Sequence, residues 1–201
     1  MSLLEEQDLR DVLLVGASFG GWVASEIAVM CRGVIVEPGQ SPDERFCVVD
    51  EDDRVVGYRT RAECHADPSL IHRSVYVIVD TPQGRLFQRR GFGKDSAPGG
   101  WDASCAGHVD GDEGYAAAAR RELMEELGID AEPDFVGTLL LRVPTETEMT
   151  GVFRLAHPGP FLVRPPEVIG VCAFRPGEEP SPLPPGTRIV LDWLAERTAD
   201  G

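Results

Sequence analysis

Glu122, Glu125 and Glu126 stand at i, i+3 and i+4 in the stretch Arg121-Glu-Leu-Met-Glu-Glu-Leu-Gly128. On a helix, that spacing puts three carboxylates on one face within about one turn. Like charges so close repel, and the arrangement is costly unless a cation neutralises it. A ligand set made only of oxygens favours a hard divalent ion, Mg²⁺ first and Mn²⁺ as the alternative. Arg121 is spaced to reach Glu125 across one turn and hold the carboxylates in place. The competing explanation is a solvated acidic face, the usual fate of a charge run.

The three glutamates belong to a longer string, Gly107-x5-Glu113-x7-Arg121-Glu122-Leu123-x-Glu125-Glu126-x-Gly128-Ile129. Its seven fixed letters, leaving aside the apolar positions Leu123 and Ile129, match by chance about 10⁻⁸ times per window at average composition. The string resembles the complete Nudix box, and on it the chain is similar to the Nudix hydrolase superfamily. That resemblance implies an α/β Nudix fold, an α/β/α sandwich around a mixed β-sheet. It also implies hydrolysis of a diphosphate linkage (nucleoside, sugar, coenzyme or isoprenoid) by water attack on phosphorus, with Mg²⁺ as cofactor. Carried over by position, Glu122, Glu125 and Glu126 are metal ligands and, with Arg121, the catalytic group. Gly107 offers its backbone carbonyl, and Glu113 and Arg121 brace the loop and helix. The proton acceptor is left open among Glu122, Glu148 and Glu167.

Outside the box, roughly over residues 46–196, the order of His65, His72, Gln88-Arg-Arg90, Lys94, Pro98-Gly99, Trp101-Asp102 and Gly107-His108 resembles type I isopentenyl-diphosphate isomerase. This likeness implies a second metal site at His65, His72, His108 and Glu146, with Glu148 as a further ligand. It also implies that Arg90 and Lys94 bind the substrate diphosphate. The bland alternative for Pro144-Thr-Glu-Thr-Glu148 is a solvated loop. Two departures weigh against isomerisation. Ala106 stands where the isomerase has a cysteine, and in an extended segment Cys105 points to the opposite face. The box also keeps Glu122 and the Glu125-Glu126 pair, whereas isomerases have a degraded box. The combination resembles an isomerase-like subgroup of Nudix hydrolases. The rival readings are an isomerase-like enzyme and a non-catalytic Nudix module that binds nucleotides or sugars. Trp101 and Phe92, near Lys94, are candidates for lining a pocket or for the core.

These groups need a scaffold. The pattern predicts strands at Phe46–Asp50, Val55–Arg59, His72–Asp80, Arg85–Arg90, Asp102–Val109, Val136–Val143, Met149–Ala156 and Val168–Phe174. It predicts helices at Gly114–Leu127, ended by Gly128, and Thr187–Arg197. Strands around two helices fit a sandwich. We therefore expect a Nudix domain over 45–201. Residues 1–40 are expected to form a separate strand-turn-helix appendage, joined through the turn-rich Glu37–Glu44. Within it, Val15-Gly-Ala-Ser18-Phe-Gly-Gly21 resembles the nucleophile elbow of α/β-hydrolases over residues 8–36. No partner Asp and His follow in a hydrolase-like setting, so a catalytic Ser18 is not expected.

Bulk properties set the limits. The 201 residues carry a net charge of −15, which disfavours nucleic-acid binding through phosphates. No apolar run reaches membrane-spanning length, and the acidic N-terminus does not read as a secretory signal. Five dispersed cysteines without CxxC spacing argue against a disulfide framework or structural zinc. A cytoplasmic enzyme acting on a small-molecule diphosphate is the expectation. A homodimer would be one use for the apolar face of the N-terminal segment.

Overall fold

Val75, Val77 and Val79 alternate with Tyr76 and Ile78, so an extended chain here is apolar on both faces. Such a strand is stable at the centre of a sheet covered on both sides. The computed structural model, which describes residues 43–94 and 96–199, has that arrangement. The central strand is β3 (Ile71–Thr81). It is preceded by β1 (Arg45–Val49), β2 (Val55–Thr60) and a short helix α1 (Arg61–Ala66). It is followed by β4 (Gly84–Arg90), β5 (Trp101–Asp102), β6 (Cys105–His108) and helix α2 (Tyr115–Leu127). The chain continues through β7 (Asp134–Val143), β8 (Glu146–Ala156), β9 (Val168–Phe174) and helix α3 (Pro185–Ala199).

One edge of β3 runs parallel to β8, from Ile71↔Thr147 to Asp80↔Ala156. The other edge is divided among three antiparallel partners. These are β1 at Val48↔His72, β6 from Ser74↔His108 to Val77↔Cys105, and β4 at Asp80↔Arg85. β2 extends the sheet beyond β1, β7 pairs with β8, and β9 with β4. The sheet is mixed, as expected, and helices cover both faces. Val75, Val77 and Val79 pack with Ala118, Ala119, Leu123 and Leu127 of α2. Ile78, Phe87 and Val152 pack with Val190, Leu191 and Leu194 of α3. Phe46 and Val48 pack with Cys64 of α1 and Leu70.

Three expectations are corrected. The single strand expected over 102–109 is two strands. Asp102 pairs with Gln88 of β4, whereas Cys105–His108 pairs with β3. At the break, Ser104 Oγ accepts from Val79 N (2.9 Å) and donates to Leu86 O (2.6 Å), taking the place of ladder bonds. Second, Pro144–Glu148 is not a solvated loop. β8 starts at Glu146, across a tight hairpin from Val143. Third, α1 was not anticipated. It carries a reciprocal capping box. Thr60 Oγ1 accepts from Glu63 N (3.2 Å), and the Glu63 carboxylate accepts from Thr60 N (2.8 Å). Gly128 ends α2 in the left-handed conformation, as predicted.

The appendage over 1–40 and Ser18 lie outside the described residues. Among those described, no helix is long and apolar enough to cross a membrane. Cys47, Cys64, Cys105 and Cys172 are free thiols.

Because α1 carries His65, its cap bears on the site. Thr60→Ala removes one bond of the box and should cost about 1 kcal/mol of stability. A shift of the urea midpoint at unchanged slope would register it, and an unchanged midpoint would show that the cap contributes nothing.

Candidate active site

Strand β6 sends successive side chains to opposite faces of the sheet. Cys105 and Gly107 face α2, and Ala106 and His108 face the other way. Cys105 is wholly buried in the α2 core, and burial pushes its thiol well above its ordinary pKa. It cannot occupy the place of Ala106, as the strand period predicts. At Gly107 a side chain would collide with Glu122. A Cβ there would lie 2.1 Å from the glutamate's Cδ. The glycine is what lets α2 bring its carboxylate against the strand.

The acidic face of α2 is not a solvated face. Glu122 and Glu126 are buried, at 8% and 3% exposure, and Glu125 is open. Together with Glu167 and Lys94 they line a cavity of about 230 Å³ whose floor includes the β6 backbone. Arg121 fans across the cluster. It meets Glu122 at 2.7 Å, Glu113 at 3.0 Å and Glu125 at 3.2 Å, and it donates to the His108 carbonyl at 2.9 Å. Burial works against its charge, but the bonds to Glu113 and Glu122 hold its pKa above the ordinary value. Glu126 accepts from Gln88 Nε2 (3.1 Å) and from Ala106 N (3.2 Å). Burial, then the neighbouring Glu126, raises Glu122 from 4.5 to about 8. Burial raises Glu126 to about 7 against the pull of Lys94. Lys94 itself is paired with Glu167 at 3.1 Å.

A second cluster forms on the opposite face. His65 comes from α1, His72 from β3, His108 from β6 and Glu146 from β8, and their ligand atoms all lie within 4.8 Å of one another. Glu148 sits beside them, 3.7 Å from His72 Nε2 and 3.6 Å from His108 Nε2. The parallel register places His72 directly opposite Glu148. His72 is fully buried and its Nε2 has no hydrogen-bond partner. Burial, then His65, lowers its pKa to about 3. His108 is driven well below its ordinary value by burial and by His72. Burial, then Glu146, raises Glu148 to about 8. Imidazoles converging with carboxylates in a half-buried site have the chemistry of a divalent-metal site.

The expected site residues therefore divide into two groups. Glu122, Glu125, Glu126, Gly107, Arg121, Lys94 and Glu167 meet at the cavity. Glu148 lies with the histidines, where the isomerase likeness puts it, and not at the cavity where it was also a candidate proton acceptor. Arg90 meets neither group. It is held by Asp102 at 2.5 Å and by the Ser96 carbonyl at 2.9 Å. Trp101 is half-buried and packs against the α3 core, edge-on to Phe174, and Phe92 is exposed. Sequence reasoning missed Glu44 and Asp110, which also line the cavity. Burial, then Asp110, raises Glu44 to about 7. Asp110 lies inside the Gly107–Glu113 loop and could have been read there. Glu44 sat in a segment that reads as linker.

Comparison with known proteins agrees with this geometry. The NUDIX domain family model matches residues 70–194. An uncharacterised Nudix hydrolase of Yersinia pestis is 35% identical over 133 residues, 65% of this chain and 72% of that protein. An isopentenyl-diphosphate Delta-isomerase of Streptomyces griseus is 32% identical over 159 residues, 76% of this chain and 74% of that enzyme. The crystal structure of DR0079 from Deinococcus radiodurans superposes with a TM-score of 0.57 at 26% identity, covering 79% of this chain and 90% of the other. The chain belongs to the Nudix hydrolase family, whose enzymes hydrolyse diphosphate-containing substrates, and it has an isomerase-like relationship within that superfamily.

The buried carboxylates make stability depend on pH. Unfolded, they ionise near 4.5. Folded, Glu122 and Glu148 keep their protons to about 8 and Glu126 to about 7. The native state then binds more protons than the unfolded state, so stability falls as pH rises. His72 and His108 act in the opposite sense, but only below 6.5, where the unfolded imidazoles are protonated. In chelator, the melting temperature should therefore drop between pH 6.5 and 8, and Mg²⁺ or Mn²⁺ should flatten the drop. A melting temperature that stays level or climbs over that window in chelator would contradict this account.

Proposed function

We propose that the chain is a metal-dependent hydrolase that cleaves a small-molecule diphosphate by water attack on phosphorus. The observation that carries this reading is the convergence of the buried Glu122 and Glu126 carboxylates on the Ala106–Gly107 stretch of β6 at one cavity. Two buried carboxylates with raised pKa values are poor occupants of a protein interior unless a cation is their partner. Glu122, Glu125 and Glu126, with the Gly107 carbonyl, would hold Mg²⁺. When bound, the ion would neutralise charge on the phosphate oxygens and activate water.

The chain's own residues do the rest. Arg121 fixes the directions of Glu122 and Glu125 by bonding both, so the ligands are arranged before substrate arrives. Gln88 and the Ala106 amide hold Glu126. Lys94 reaches the cavity, whereas Arg90 is taken up by Asp102, so we assign the phosphate contact to Lys94. Of the candidate proton acceptors, Glu122 would be taken up as a ligand of the ion and Glu148 lies on the other face, while the one cation paired with Glu167 among the described residues is Lys94, which the phosphate would draw away. Glu167 lines the cavity outside the helix cluster, and we assign it the water's proton. The histidine cluster would hold a second cation, for which Mn²⁺ suits mixed imidazole and carboxylate donors. We take residues 45–201 as the catalytic domain of a cytoplasmic enzyme, a location supported by the free thiols among the described cysteines.

The histidine cluster also favours a second reading, isoprenoid-diphosphate isomerisation. That reaction needs an acid on the face where β6 presents Ala106, whose methyl group cannot donate a proton.

The test is ³¹P NMR of the protein with Mg²⁺ and a panel of nucleoside, sugar, coenzyme and isopentenyl diphosphates. We expect conversion to monophosphate that EDTA stops. Glu126→Gln should lower turnover at least about a hundredfold, since losing even an outer partner of a ligand costs ten- to a hundredfold. Its circular dichroism should be unchanged. Normal turnover in Glu126→Gln would sink the assignment, as would rearrangement of isopentenyl diphosphate with no release of phosphate.

A further inference from the structure

Phe46 is wholly buried at the start of β1, on the same face of the sheet as the histidines. Its ring lies 4.1 Å from the His108 ring at 20°, and 5.0 Å from the His72 ring at 19°. A third ring, His65, is 6.1 Å away and tilted by 48°. The Arg61 guanidinium lies 6.0 Å from the Phe46 centroid. One aromatic ring is therefore near-parallel to two of the three imidazoles.

The orientation of an imidazole decides whether it can ligate. The nitrogen lone pair lies in the ring plane, so rotation about χ2 swings it off target. That torsion is intrinsically broad. Metal-binding histidines are usually fixed by a hydrogen bond from the other ring nitrogen. For His72 that fixing is weak: neither ring nitrogen meets a partner in full hydrogen-bonding geometry, although the Leu70 backbone acts on the ring as an acceptor. The Phe46 face, in stacking range, supplies a further contact that defines its plane.

Phe46 also reaches the cavity on the opposite face through its backbone. It forms a β-bridge with Asp110, and Gly111 N donates to the Arg45 carbonyl at 3.1 Å. The strand that carries the ring is thus tied to the loop between Gly107 and α2.

We propose that Phe46 is a positioning residue for the histidine–glutamate cluster, its ring setting the planes of His72 and His108 so that their nitrogens meet at one cation. This rests on the reading of that cluster as a metal site. A phenylalanine that merely filled the core could be exchanged for leucine with no effect on metal binding. A ring that orients ligands could not, because leucine offers no flat face.

The experiment uses Co²⁺ as the probe, titrated into the full-length protein and followed by visible absorption and calorimetry. His72→Ala defines the part of the signal that belongs to the cluster. Phe46→Leu should weaken that part about tenfold and alter its visible bands, the scale expected for losing an outer partner of a ligand. Val48→Ala is the control. Val48 is buried in the same small core beside Phe46, and its truncation should lower the melting temperature while keeping Co²⁺ affinity. Equal Co²⁺ affinity in wild type and Phe46→Leu would overturn the proposal. So would an equal loss of affinity in Val48→Ala, which would mark a general packing effect. If wild type and His72→Ala bind Co²⁺ identically, the metal site itself is refuted and Phe46 has nothing to position.

Discussion

The energetic problem at the centre of this molecule is how to keep two carboxylates, Glu122 and Glu126, out of water on consecutive turns of one helix. An isolated buried carboxylate is costly enough that it takes up a proton instead. Here the cost is met in part by Arg121, Gln88 and the Ala106 amide, and by a glycine that removes the only side chain in the way. Much of the surrounding structure follows from that requirement. α2 must press against β6, so its other face must be apolar, and Ala118, Ala119, Leu123 and Leu127 supply that face. The helix must stop after Leu127, and Gly128 stops it.

β6 is the hinge of the design in a geometric sense. It has four residues, and its alternation serves two different clusters. Gly107 yields to Glu122 on one side, and His108 joins His65 and His72 on the other. The two clusters are separated by one strand's thickness and share its backbone, since Arg121 binds the carbonyl of His108 itself. A change in charge at either cluster is therefore felt through one short piece of chain.

The acidic helix was readable because its information is local. Spacing of three, four and seven residues encodes a face, a cap and a core stripe within one element. β3 and the α2 terminus were readable for the same reason. What escaped were features that depend on pairing. Nothing local shows that Asp102 belongs with β4 and Cys105 with β3, so the break at Ser104 was invisible. Arg90 has the residue type for a phosphate ligand, but its direction depends on Asp102, twelve residues on and in another strand. Glu44 reaches the cavity only because Phe46 bridges Asp110. The capping box of α1 was local and could have been read. The six-residue helix it opens is too short to show a period.

The parallel pairing of β3 with β8 carries a wider implication. His72 faces Glu148 only in this register, and Ser74 meets Thr150 one step along, their hydroxyls 2.8 Å apart. Sliding β8 by one residue would turn Glu146 and Glu148 to the helix α2 face and bring Thr147 among the histidines. The sheet could still form, but the imidazoles would lose their carboxylates. A single-residue insertion in the β7–β8 hairpin that shifted this register would therefore dismantle the histidine cluster while leaving a sheet in place.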